Sequence, residues 1–237
     1  MTGLKDCCFK KFDHEGVYKG GYQEVAGLDS YVIGEPSDNV IVILTDIYGY
    51  KFNNARLLAD DLNELTNLQV IIPDILLGDP VDPVGVFKRE EWFAKHHPGI
   101  TSPIVTDFLT KLREEKHPKK VFGIGYCFGA KFVVQNLGNG GLLDVGAVAH
   151  PSLLTVEEID GISNPVLIST GEADAAFGPE LRTQTIESLS KSGVRFQVDI
   201  FQGATHGYAV KGDLTNPVIK YAKEKTLLDQ AYWFSQF

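Results

Sequence analysis

The amino-acid sequence predicts an α/β protein with a mostly parallel central sheet and helices on both faces. Short apolar runs rich in β-branched residues recur along the chain, and segments with apolar residues at helical spacing lie between them. Strands that alternate with helices form right-handed crossovers, which produce a parallel sheet covered on both faces. In such a sheet, ligands bind at the carboxyl ends of the strands.

Most of the predicted strands are continuous apolar runs, which is typical of strands buried on both faces of a sheet. They are Leu28–Ile33, Val40–Leu44, Gln69–Ile72, Val121–Ile124, Val145–Ala149, Val166–Ser169 and Phe196–Phe201. The predicted helices are amphipathic, because their apolar residues recur every three or four positions. They are Asn53–Leu65, Thr101–Glu115, Gly129–Leu137, Pro179–Ser190 and Pro217–Phe237.

Composition restricts the class of protein and of partner. The chain has 237 residues, 43% of them hydrophobic, and a formal net charge of −9. This balance excludes disorder, collagen and coiled coil, and the acidic charge disfavours binding to nucleic acid or to a membrane surface. Without a repeat or a linker rich in Pro, Gly and Ser, residues 1–237 are expected to form one domain that binds a small molecule. Whether it is a monomer or a homodimer is left open.

The cysteines and the apolar runs indicate the compartment. Three cysteines, of which Cys7 and Cys8 are adjacent, do not form a disulfide scaffold. The first residues lack the apolar run of a secretory signal, and no stretch approaches the ~18 apolar residues of a membrane span. A cytoplasmic protein is therefore expected.

The motif Gly125-Tyr126-Cys127-Phe128-Gly129 joins a predicted strand to a predicted helix, as in a nucleophile elbow. The turn holds its central residue in a strained conformation, and the glycines two positions away are needed because chain segments crowd there. The thiol would stand at the amino end of a helix, whose dipole favours the thiolate. The N–H of Phe128 would be one donor of an oxyanion hole. The other interpretation is a buried, inert cysteine.

An aspartate and a histidine follow in the chain order of a catalytic triad. Asp174 and His206 each come just after a predicted strand, so both belong to the carboxyl-end rim of the sheet. One ring nitrogen of His206 could reach the thiol of Cys127 while the other donates to Asp174. Glu172 is a rival carboxylate, and each residue considered alone fits an ordinary loop.

These segments resemble the triad segments of the dienelactone hydrolase family of α/β-hydrolases, which use Cys where most relatives use Ser. The resemblance rests on residues 125–129, 172–174 and 205–207 and covers nearly the whole chain. Two looser similarities are residues 45–49 and 73–80. The resemblance implies an α/β-hydrolase fold and an ester- or lactone-cleaving activity.

The resemblance also assigns roles to two residues after the strand Val40–Leu44. The family usually has Glu at the position of Asp46, a carboxylate close to the resting thiol, and the N–H of the next residue, here Ile47, completes the oxyanion hole. Asp46 is one methylene shorter than Glu. It either reaches the thiol of Cys127 or is a strand-end aspartate that caps a turn.

The chain departs from the family where dienelactone-cleaving members hold the substrate carboxylate with arginines. Residues 76–78 read Leu-Leu-Gly at the first such place. After His206, Lys211 could substitute for the second arginine as a point charge, but it lacks the forked geometry of a guanidinium. The resemblance therefore implies the chemistry more than it implies the substrate.

Several other residues are candidates for the substrate pocket. His150 is either a polar contact of the pocket or a structural hydrogen-bonding residue. Tyr126, within the elbow motif, is an auxiliary candidate. Trp92, Phe177 and Phe87 are candidates for an apolar wall, although core packing explains them nearly as well.

We therefore expect a hydrolase that cleaves a small ester, lactone or thioester through an acyl-cysteine intermediate. Cys127 would attack, His206 would take and return the proton, and Asp174 would orient His206. No cofactor is required, and the adjacent pair His96 and His97 does not indicate a metal site because neighbouring side chains point apart. The alternative is a non-catalytic member that binds a ligand or uses Cys127 as a redox-responsive thiol.

Overall fold

The computed structural model describes residues 12–82 and 88–237. Cys7, Cys8 and Phe87 lie outside the described residues. The strands are β1 (Gly21–Val25), β2 (Leu28–Ile33), β3 (Asn39–Leu44), β4 (Gln69–Pro73), β5 (Lys120–Tyr126), β6 (Val145–Ala149), β7 (Val166–Gly171) and β8 (Phe196–Phe201). The helices are α1 (Asn53–Thr66), α2 (Arg89–His96), α3 (Pro98–Lys116), α4 (Phe128–Gln135), α5 (Val156–Asp160), α6 (Pro179–Ser192), α7 (Tyr208–Lys211) and α8 (Pro217–Phe234).

All eight strands form one sheet in the order β1-β2-β4-β3-β5-β6-β7-β8. The β1–β2 and β2–β4 pairs are antiparallel, and every pair from β4 to β8 is parallel. The predicted fold class, a mostly parallel sheet with helices, is confirmed. The carboxyl ends of β3, β5, β6, β7 and β8 consequently lie at one rim of the sheet.

Helices cover both faces of the sheet, because successive side chains of a strand point in opposite directions. Val42 of β3 belongs to the apolar cluster that contains Phe108 of α3 and Phe132 of α4. Its neighbour Ile43 belongs to the other cluster, with Leu58 of α1 and residues of α7 and α8. Burial on both faces explains why the central strands are continuous apolar runs. Within the described residues, no helix is both long enough and apolar enough to cross a membrane.

The seven predicted strands and five predicted helices are all present, with ends that differ by at most three residues. The strand β1 and the helices α2, α5 and α7 were not predicted. Four of the five β1 residues are exposed, so the strand has no apolar run to reveal it, and α5 and α7 are too short to show a helical period. The edge strand β8 is only partly buried, unlike the central strands.

Candidate active site

The turn between β5 and α4 has the strained backbone that the elbow motif requires. Cys127 has φ 50° and ψ −108°, a conformation that costs free energy for a residue with a side chain. A Cβ on Gly125 would lie 2.4 Å from Cα of Ala130, and one on Gly129 would lie 2.0 Å from the carbonyl oxygen of Leu44. Both distances are far below van der Waals contact. Glycine at these two positions therefore allows β5, α4 and the end of β3 to meet at the turn.

Substitution of Gly129 by Ala is expected to lower the free energy of unfolding by about 3 kcal/mol, because the new methyl group collides with rigid backbone. Urea denaturation followed by circular dichroism measures the change. Gly21→Ala is the matched control, since a Cβ at Gly21 meets nothing within 4 Å. Equal stability of the two variants would contradict the close approach at the turn.

Cys127, His206 and Asp174 are in mutual contact at the carboxyl-end rim. Nε2 of His206 lies 3.0 Å from Sγ of Cys127. Nδ1 of the same ring lies 3.0 Å and 2.9 Å from the two carboxylate oxygens of Asp174. The spacing is that of a nucleophile, a base and a group that orients the base. The rival carboxylate Glu172 is exposed.

Hydrogen bonds between the loops after β7 and β8 position this arrangement. The N–H of Glu172 donates to the carbonyl of Phe201 at 2.8 Å, and the N–H of Ala173 donates to the carbonyl of Ala204 at 3.2 Å. Arg182 of α6 is buried and donates to the carbonyls of residues 171 and 172, each at 3.0 Å. These bonds fix the loop that carries the aspartate beside the loop that carries the histidine.

The Asp174 carboxylate also stabilises its own loop. Its Oδ1 accepts hydrogen bonds from the N–H groups of Ala176 at 2.8 Å and Phe177 at 3.3 Å. An aspartate that accepts from residues two and three positions ahead holds a tight turn. One carboxylate therefore performs both functions considered from the sequence, capping its loop and contacting His206.

The three side chains are fully buried. Cys127 has 0% exposure, and the side chains of His206 and Asp174 have 0% as well. A redox-responsive thiol has to be reached by its oxidant, and in the structure this thiol is buried.

Electrostatics favours an imidazolium–thiolate pair. Burial alone would lower the pKa of the His206 imidazole, but the Cys127 thiolate and the Asp174 carboxylate outweigh burial and raise the pKa to about 10. Each negative charge stabilises the protonated ring at short range. At neutral pH the ring is therefore charged, and the charge in turn stabilises the thiolate.

The two N–H groups expected to form an oxyanion hole belong to Ile47 and Phe128. In the described part of the chain, neither N–H has a hydrogen-bond acceptor. Phe128 is the first residue of α4, where a helix leaves its N–H groups unsatisfied. The carbonyl of Ile47 accepts from the N–H of Val81 at 2.9 Å, which fixes the orientation of this peptide segment.

Asp46 is buried beside the site and caps a turn. Its Oδ1 accepts from the N–H of Tyr48 at 3.0 Å, and its Oδ2 has no hydrogen-bond partner among the described residues. The carboxylate therefore does not hydrogen-bond the thiol of Cys127. Burial raises the pKa of the Asp46 carboxyl to about 6, although the Lys211 ammonium opposes this rise.

Lys211, the last residue of α7, is also buried. Its Nζ lies 4.8 Å from the centroid of the Tyr48 ring, within the range of a cation–π interaction. A buried ammonium beside Asp46 places positive charge next to the triad. This is the lysine that the sequence offers in place of the family's second arginine.

His150 is buried at the end of β6 with a positive φ of 39°. Its ring centroid lies 5.2 Å from that of His206, with the rings nearly perpendicular. Neither ring nitrogen has a hydrogen-bond partner in the described part of the chain. Burial lowers the pKa of His150, which keeps this ring neutral beside the charged ring.

The remaining pocket candidates are buried. The hydroxyl of Tyr126 donates to Oε1 of Gln230 at 2.9 Å, so it is engaged with α8. Trp92 packs edge-on against Phe128, with ring centroids 5.7 Å apart. Phe177 is fully buried in the same apolar cluster as Cys127.

The adjacent histidines have separate hydrogen bonds. Nε2 of His96 lies 3.0 Å from the carboxylate of Asp79, and Nδ1 of His97 accepts from the N–H of Gly99 at 3.1 Å. Within the described ranges, no group of three or more His, Cys, Asp or Glu residues is arranged to hold a metal ion.

One residue of the site was missed by the sequence analysis. Oγ of Ser152 lies 3.7 Å from Sγ of Cys127, and the N–H of Ser152 donates to the carbonyl of Cys127 at 3.1 Å. Ser152 is buried just beyond the carboxyl end of β6, which pairs with β5. The signal for it was therefore available, since residues that follow neighbouring parallel strands meet at the same rim.

Comparison with known proteins finds one matching family and several similar sequences. The profile of the Dienelactone hydrolase family matches residues 28–237. The chain is 33% identical to Hydrolase tropI of Talaromyces stipitatus, over 98% of this chain and 96% of that protein. It is 36% identical to Hydrolase pyvD of Aspergillus violaceofuscus, over 100% of this chain and 99% of that protein.

The fold is shared with solved structures. The Dienelactone Hydrolase-like Promiscuous Phosphotriesterase P91 from metagenomic libraries superposes with a TM-score of 0.70, covering 93% of this chain and 98% of that one. The two sequences are 16% identical, so this likeness concerns the fold alone. The α/β-hydrolase fold implied by the sequence resemblance is confirmed.

Proposed function

Because the chain belongs to the dienelactone hydrolase family, we propose that it hydrolyses a small ester, lactone or thioester through an acyl intermediate on Cys127. The observation that carries the proposal is the 3.0 Å contact between Sγ of Cys127 and Nε2 of His206. The other nitrogen of that ring, Nδ1, lies 2.9 Å from the carboxylate of Asp174. A redox-sensing thiol has no need of that carboxylate. The whole chain is proposed to act as one cytoplasmic domain, where reducing conditions preserve a thiol nucleophile.

The first half of the reaction forms the acyl-enzyme. The Cys127 thiolate attacks the carbonyl carbon, and the negative charge that develops on the carbonyl oxygen is stabilised by the N–H groups of Ile47 and Phe128. Such a donor typically contributes about 3 kcal/mol in the transition state. When the tetrahedral intermediate collapses, the His206 imidazolium gives its proton to the departing alcohol or thiol.

The second half releases the acyl group. The now neutral His206 takes a proton from water, which attacks the thioester carbon, and Cys127 leaves as a thiolate that pairs again with the imidazolium. Asp174 holds the ring in the orientation and tautomer that both steps need. All protons are thereby returned, and no cofactor takes part.

The buried charge of Lys211 supports a preference for substrates that carry a negative group near the scissile bond. Lysine offers a point charge instead of two parallel hydrogen bonds, so it tolerates more varied geometry than arginine does. His150, whose ring nitrogens lack partners in the described residues, is proposed to contact a polar group of the substrate. The apolar side chains of Trp92 and Phe177 are proposed to contact the rest of it.

The test is mass spectrometry of the intact protein after brief exposure to a panel of activated esters and lactones. We expect a mass increase equal to the acyl group, located on Cys127 by peptide mapping and lost again with time. The control is protein in which the Cys127 thiol has first been alkylated, and its mass should not increase by the acyl group. Reversible oxidation of Cys127 without acylation by any ester would contradict the proposal and support the redox alternative.

A further inference from the structure

Among the described residues, the edge strand β8 has one row of backbone hydrogen-bonding groups without a strand partner. It pairs with β7 along one edge, and no other described strand pairs with it. Proteins usually protect such an edge with lysine, proline or a bulge. Residues 196–201 read Phe-Gln-Val-Asp-Ile-Phe, with a single charge at Asp199 and neither lysine nor proline. Ile200 is 49% exposed.

An exposed apolar stripe on α8 adjoins this edge. Val218, Tyr221, Leu228 and Tyr232 are all exposed, and Tyr221 and Tyr232 reach 62% and 70%. Their spacing of three, seven and four residues places them on one face of the helix. A groove of about 460 Å³ lies between α8 and β8, lined by Phe201, Val218 and Tyr221. Its lining also includes Asp199 and the ion pair of Lys225 with Asp229.

From these features we infer that a second copy of this chain binds here, with the β8 strands of the two copies pairing antiparallel about a two-fold axis perpendicular to the sheet. Such an axis keeps both α8 helices on the same side of the joined sheet, so the two stripes flank the junction. The pairing satisfies the open backbone edge of both copies at once. An unpaired edge strand with a single charged residue favours such strand addition.

The sequence of β8 selects one register. Directly opposed residues in an antiparallel pair point to the same side of the sheet. The two-fold axis must therefore pass midway between one residue and the same residue of the other copy. Only two such registers pair five residues of β8, with either Val198 or Asp199 on the axis. The register centred on Asp199 opposes two carboxylates, which is unfavourable.

The register centred on Val198 is self-complementary. It places Gln197 opposite the partner's Asp199 and Phe196 opposite the partner's Ile200. The Gln197 amide already donates to both Asp199 oxygens within the chain, at 3.1 Å and 3.0 Å. In this register the same amide also faces the carboxylate of the partner's Asp199.

The test measures the dimer dissociation constant by sedimentation equilibrium on the full chain. The wild type should form dimers. Tyr221→Lys should dissociate them, because it puts a charge in the apolar stripe. Leu65→Lys should not, although Leu65 on α1 is 46% exposed. A wild-type monomer at every concentration up to the solubility limit, or no response to Tyr221→Lys, overturns the proposal.

Two substitutions at Gln197 test the register. Gln197→Lys adds an opposite charge facing the partner's Asp199, and Gln197→Glu adds a like charge. We expect tighter association for the first and weaker for the second, with dissociation constants that differ about tenfold. Urea denaturation of both variants checks that each remains folded. Equal constants for two folded variants would overturn this register.

Discussion

Replacement of Cys127 by Ala is expected to lower kcat for an activated aryl ester by about 10⁶-fold, as the loss of a triad nucleophile does in other hydrolases. The sulfur is the atom that His206 contacts at 3.0 Å, and alanine offers no nucleophile in its place. The fold should persist, because the methyl group of alanine fits the space of the thiol and the strained backbone is unchanged. Steady-state kinetics measures the loss, and circular dichroism verifies the fold.

Ser152→Ala is the informative control for that experiment. Oγ of Ser152 is a second potential nucleophile, only 3.7 Å from Sγ of Cys127, but the imidazole of His206 contacts Sγ of Cys127, at 3.0 Å. The Ser152→Ala variant should therefore keep kcat within about tenfold of the wild-type value. Activity that survives in Cys127→Ala and disappears in Ser152→Ala would identify the hydroxyl as the nucleophile.

The elements that determine the site were predictable because their signals are local. The glycines at 125 and 129 indicate a crowded turn, and the structure shows why a Cβ does not fit at either. The runs at β5, β7 and β8 indicate strands that end at one rim. Once the sheet is parallel, the residues that follow those strands must lie near one another.

Features that depend on distances across the fold were not predictable. The shorter side chain of Asp46 left open whether it reaches the thiol, and only the structure shows that its hydrogen bond with the N–H of Tyr48 caps a turn. The full burial of Cys127 depends on how loops pack over the rim, which no local pattern encodes. The strand β1 was not predicted, because an exposed edge strand needs no apolar run.

Replacement of Asp174 by Asn is expected to lower kcat by about 10⁴-fold. The amide oxygen can still accept from the N–H groups of Ala176 and Phe177, so the loop keeps its turn. The amide nitrogen is a donor, however, and facing Nδ1 of His206 it favours the tautomer with its proton on Nε2. Nε2 of His206 then carries a hydrogen directed at Sγ of Cys127 and cannot accept a proton.

The same substitution should change the reactivity of the thiol as well as turnover. Asp174 helps to raise the pKa of His206 to about 10, so its loss lowers that pKa and weakens the imidazolium that stabilises the Cys127 thiolate. Alkylation by iodoacetamide at neutral pH should therefore slow, and its pH midpoint should move upward. Glu172→Gln is the matched control, because this carboxylate is exposed only two residues away and should affect neither measurement. If Asp174→Asn lowered kcat without shifting the alkylation midpoint, the carboxylate would act by supporting the loop and not through the charge of His206.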